Sequence, residues 1–123
     1  MRRGHERSDV LGLALNKLGK YAESESLLRG PISDAQRTFG NDNEYTLDLR
    51  SVLADTLACL GGIDNLSAAV AMREDVYKRT RQIFGPLHPK TQRRQRSLEV
   101  FRAALADVQA GRPAIIQFTS NNI

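Results

Sequence analysis

Two histidines, one cysteine and a short run of arginines are the residues of this 123-residue chain whose types could do chemistry. A zinc site needs three or four nitrogen or sulfur ligands at close spacing. His5 and His88 stand 83 positions apart by their numbers, and Cys59 has no histidine or cysteine beside it. No metal site follows. The serines at Ser8, Ser24, Ser26 and Ser33 lack the strained glycine-flanked turn that exposes a nucleophile. Gly61-Gly62 is not followed by the Lys-Ser/Thr of a phosphate-binding loop. Cys59 cannot form an intrachain disulfide and lies in an apolar stretch, where a small buried hydrophobe is the expected role. His88 precedes Pro89 and is expected to cap a helix rather than to transfer protons. These residues predict no enzyme, no cofactor and no metal.

The charged residues carry more. Residues 73–102 hold nine lysines or arginines against three acids, a surplus of +6 that leaves −2 for the rest of a chain totalling +4. Such a stretch is either a solvated helix surface or a docking patch for an acidic partner or nucleic acid. Arg93-Arg94-Gln95-Arg96 is its densest part, yet few aromatic residues lie nearby to stack on bases. Nucleic acid is therefore the lesser reading. Arg94 is expected on a solvent-exposed face.

The elements that position these groups read as helices. Hydrophobic residues make up 41% of the chain, but aromatics only 6% with no tryptophan, so packing rests on Leu, Val, Ile and Ala. Val10, Leu11, Ala14, Leu15 and Leu18 share helical spacing over residues 6–18, and Gly19 ends that helix. A second helix runs from about Lys20 to Phe39, with Gly30-Pro31 predicting a kink or break near residue 30. Asn43 predicts an N-cap for a third helix that extends to Leu60, with Glu44 in its first turn. Ile63-Asp64-Asn65 reads as a short loop insertion, and Asp64 or Asn65 as the cap of a fourth helix ending at Phe84. Pro89 opens a fifth, which Gly111-Arg112-Pro113 terminates. The tail Ile115-Ile116-Phe118 is β-prone. No leader with an apolar core and no membrane-length apolar run is seen, so a cytoplasmic chain that stays off membranes is the expectation.

The chain also repeats itself. Phe39-Gly40 returns as Phe84-Gly85 at an offset of 45, and Val10-Leu11 to Leu18-Gly19 returns as Val52-Leu53 to Leu60-Gly61 at 42. A period of that size marks stacked helical repeats. Phe84-Gly85-Pro86-Leu87-His88-Pro89-Lys90-Thr91, Leu53-Ala54 with Leu57 and Leu60-Gly61, Leu18-Gly19-Lys20-Tyr21 and Leu27-Leu28-Arg29 together resemble tetratricopeptide repeats of the kinesin-light-chain type. Ser51-Val52 and Arg96-Ser97 stand where that family has paired asparagines, Pro31 replaces a helix residue, and Glu99 falls at a small-residue packing position.

The resemblance implies an all-α fold of about five helices in a short superhelix. Residues 6–110 form the repeat domain, with units at about 6–40 and 41–85, a half unit at 86–110 and a tail at 111–123. A truncated array is one reading of that organisation. The first helix of each repeat would line a concave groove. Matching positions give Glu6, Asp9, Leu13 and Lys17; then Asp48, Ser51, Asp55 and Cys59; then Arg93, Arg96 and Val100. Asp9, Asp48 and Asp55 would make one end acidic, and Arg93 and Arg96 the other basic. The expected function is a non-catalytic scaffold that binds a peptide or helix of a partner protein in that groove. The alternatives are binding of nucleic acid or an acidic partner through 73–102, and self-association through uncapped repeat ends.

Overall fold

The computed structural model describes residues 7–114, and over that span the chain is all-helical. Helix α1 covers Ser8–Lys17, α2 Tyr21–Phe39, α3 Glu44–Leu60, α4 Ile63–Phe84 and α5 Pro89–Gln109. The expectations for Glu6, His5 and the Ile115-Ile116-Phe118 tail lie outside the described residues.

Local chemistry explains the boundaries. The two Phe-Gly pairs end α2 and α4 in one geometry, with φ of 86° at Gly40 and 87° at Gly85, a region that side chains with a Cβ rarely enter. Three residues after each glycine stands an N-cap. The Asn43 side-chain oxygen accepts the Tyr45 N–H at 2.9 Å, and His88 Nδ1 accepts the Lys90 N–H at 3.1 Å. The His88 ring also stacks on Phe84 at 4.4 Å between centroids, tying the end of α4 to the start of α5. Thus the repeat in the sequence is a repeat in local structure.

Two boundaries differ from expectation. Helix α2 runs unbroken through Pro31. Gly30 beside it is exposed, with nothing within 4 Å of where a Cβ would sit, so water can reach the carbonyl that proline leaves without a donor. Leu28, Ile32 and Ala35 anchor both halves of the helix in the core. Ile63-Asp64-Asn65 is likewise no loop: α4 begins at Ile63 with Gly62 as its N-cap, and neither Asp64 nor Asn65 caps it. Gly61 and Gly62, both at positive φ, complete the turn between them. Asn65 instead sends its side-chain N–H back to the Gly61 carbonyl at 2.8 Å.

Helix α3 is the centre of the molecule. Helices α1, α2 and α4 all pack on it, and α4 in turn carries α5. Every residue from Ser51 to Leu57 is buried. One core cluster joins Leu28, Ile32 and Ala35 of α2 to Leu49, Val52 and Leu53 of α3 and to Leu98 and Phe101 of α5. Each such side chain contributes roughly 1.5–3 kcal/mol by leaving water. Helix α1 comes close to α2 at Gly12, where a Cβ would lie 2.9 Å from a Leu28 methyl. A buried polar relay sets its register: Thr56 Oγ1 is 2.9 Å from Asn16 Oδ1 and 3.2 Å from Ser24 Oγ.

Candidate partner-binding face

Helices α1, α3 and α5 carry the residues expected to line a groove. What α3 contributes there is mostly interior. Ser51 and Asp55 are 0% and 1% exposed, so neither offers a surface to a partner, contrary to the expected role of both. The cause is Arg73 of α4. Its side chain enters the space between α3 and α5, pairs with Asp55, bonds the Ser51 carbonyl at 3.3 Å and lies over the Phe101 ring at 4.9 Å. Burial pushes the Asp55 carboxyl up to about 6, against the pull of the Arg73 charge and hydrogen bond. The Ser51 hydroxyl and one Asp55 oxygen remain without a hydrogen-bond partner.

Toward the N-terminal ends of the same helices runs an ionic ladder. Arg94 of α5 donates to Asp48 of α3 at 2.6 Å, to Glu44 at 3.2 Å and to the Thr80 hydroxyl of α4 at 2.9 Å. Lys90 pairs with the other Glu44 oxygen. Arg7 joins Asp48, at 3.3 Å, to Asp9 of α1, at 3.0 Å, with its guanidinium 4.8 Å over the Tyr45 ring. Arg94 is therefore no solvated surface residue, as its place in a basic run suggested, but 1% exposed. Burial lowers its pKa, and Asp48 opposes the shift. Burial likewise raises that of Asp48, with Arg94 pulling it back down and Asp9 adding to the rise. Partial burial lowers the Lys90 pKa, and the nearby charges of Arg94, Arg93 and Arg7 lower it further.

The acidic end expected from Asp9, Asp48 and Asp55 is consequently neutralised from within, each carboxylate being held by an arginine. What stays outward is basic and apolar. Arg96 is exposed and Arg93 half-buried, and among the described residues neither forms an ion pair. Val100, one turn beyond Arg96, is 43% exposed. On α1, Leu13 is half-buried against the core cluster and Lys17 is exposed. Glu99, expected at a packing position, is exposed instead.

The basic stretch as a whole is less charged than it reads. Arg73, Arg79, Lys90, Arg94 and Arg102 each pair with a carboxylate, which leaves Lys78, Arg81, Arg93 and Arg96 as its cations without one among the described residues. Sequence reasoning missed Arg7, Arg73 and Arg94 as the organisers of this face. Periodicity carried the signal: Thr91, Arg94, Leu98 and Phe101 recur at helical spacing and are all buried, as are Leu66, Ala69, Arg73 and Val76. An arginine in such a register requires a buried carboxylate.

Cys59 is half-buried, beside a cavity of about 390 Å³ that Tyr21 and Leu66 also line. Burial pushes its thiol pKa up, the Tyr21 hydrogen bond opposes this, and the Asp55 charge adds to it. A thiol held protonated is a weak nucleophile. Among the described residues no three His, Cys, Asp or Glu side chains are grouped to hold a metal ion, and no helix is long and apolar enough to cross a membrane. No protein-family model, curated protein or solved structure matches this chain.

Proposed function

We propose that the chain is a non-catalytic interaction module of the tetratricopeptide kind, which binds an acidic segment of a partner protein across the α1–α5 face. Arg93 and Arg96 carry this reading: on a face where neighbouring carboxylates are already matched, they keep unmatched positive charge beside exposed Val100. An acidic ligand with an apolar anchor gains both contacts at once, and the surplus charge speeds its approach. The structural repeat of caps and glycines supports the tetratricopeptide part of the reading, since like turns lead into α3 and α5.

The alternative of nucleic acid loses support from the pairing of five of its nine cations. One titration separates the two. A labelled acidic peptide containing leucine and a labelled single strand of equal charge are each titrated with the full chain at low and at physiological salt. The proposal expects the peptide to bind at both, and R93E/R96E to weaken it about tenfold, the equivalent of 1.4 kcal/mol. Tighter binding of the strand, with a steep loss on adding salt, would transfer the function to nucleic acid.

A further inference from the structure

Helix α1 has a second apolar face, turned away from the core. Val10 is 60% exposed, Leu11 37% and Leu18 70%, and Ala14 between them is exposed as well. The 42-residue repeat shows what such a face does elsewhere in this chain. Val10 and Leu11 correspond to Val52 and Leu53 of α3, which are 0% and 1% exposed. There the face is closed by α2, whose Leu28, Ile32 and Ala35 share the core cluster with Val52 and Leu53. The Val-Leu pair is thus closed over in α3 and left partly open among the described residues in α1, while Leu60, the counterpart of Leu18, is itself 37% exposed.

The border of the face selects the occupant. From Val10 to Lys20 the exposed positions carry no acid, and Lys17 and Lys20 flank Leu18 with no ion pair among the described residues. A second copy of this chain would bring the same two lysines against themselves. It would also find too little surface: ten helical residues present a strip about 15 Å long and about 10 Å wide, on the order of 150 Å², against the roughly 800 Å² per partner that a stable dimer buries. We propose that the outer face of α1 docks a short amphipathic helix of another protein, with acidic residues beside its apolar stripe, in the position that α2 takes on α3. The contact is reversible. It is separate from the α5 face, since Val10, Leu11 and Leu18 point away from the side that Asp9 shares with Asp48.

The experiment uses the full chain and two designed helical peptides with one leucine stripe, flanked by glutamates in one and by lysines in the other. Fluorescence anisotropy should show the acidic peptide binding about tenfold more tightly than the basic one. V10Q/L18Q and K17E/K20E should each weaken the acidic peptide several-fold in the R93E/R96E background, where the α5 face no longer takes an acidic ligand and the binding that remains belongs to α1. Both double variants alter exposed positions, and unchanged far-UV circular dichroism verifies that they fold. Four results would overturn the proposal, the first two by the same measurement. One is equal binding of the two peptides, and a second is no effect of V10Q/L18Q. Another is a dimer in ultracentrifugation that V10Q/L18Q dissolves, which makes a second copy the occupant. The last is tighter peptide binding by I115S/I116S/F118S, which makes the chain's own C-terminal segment the occupant.

Discussion

Arg94 and Asp48, 46 residues apart, meet at 2.6 Å and bring α5 against α3 through an ion pair. The arginine side chain is 2% exposed and the aspartate 19%, so water screens this bond little. It stands between an internal role and a binding role for the whole face, because it consumes charge that a partner would otherwise read. Removing Arg94 leaves Asp48 with Arg7 alone at 3.3 Å and Glu44 with Lys90 alone, so two largely covered carboxylates lose their shared cation. Arg94→Met is therefore expected to lower stability by about 2–4 kcal/mol in urea unfolding, and R94M/D48N to recover part of that loss. Additive losses in the double variant would show that the two side chains do not support each other.

Asp55 makes stability depend on pH in an unusual direction. Its folded pKa is raised to about 6, whereas an unfolded aspartate titrates near 3.9. Between those values the folded chain holds the proton that the unfolded chain releases. The contribution of Asp55 to stability is hence fullest below about pH 4 and falls as pH rises to about 6, by on the order of 3 kcal/mol. Urea unfolding of the wild type and D55N across this range checks it. The wild type should lose stability relative to D55N as pH rises; parallel profiles would contradict the account.

His88 acts as a cap. Its Nδ1 takes the Lys90 N–H, and its ring covers Phe84. His88→Ala should cost about 1 kcal/mol in thermal unfolding, and His88→Asn should restore much of it, since asparagine does the same work at position 43. Equal losses in the two variants would assign the effect to ring stacking instead.

The turns were readable from sequence because their causes are local. Gly40, Gly85, Asn43 and His88 need only their own neighbours to end one helix and begin the next. The five helices followed from apolar spacing in the same way. The face was harder to read, since Ser51 and Asp55 are polar and nothing within α3 reveals that an arginine from α4 closes over them. Arg94 was misplaced by its company: among Arg93, Gln95 and Arg96 it reads as one more surface charge, and only its register with Leu98 and Phe101 shows otherwise. The uninterrupted α2 follows from the core side of that helix outweighing the hydrogen bond lost at Pro31, a balance of packing that propensity does not contain.

The central claim is that partners meet this chain on the α5 face. A photo-crosslinking residue at Arg96 tests it, with the same residue at Ser33 as the comparison. Both positions are exposed, but Ser33 lies on the outer side of α2. After irradiation in cells of origin and mass spectrometry of the adducts, the account predicts one recurrent protein partner captured at position 96, absent at 33, and competed away by an acidic peptide. Capture at position 33 alone, or capture at 96 that the peptide leaves unchanged, would contradict it.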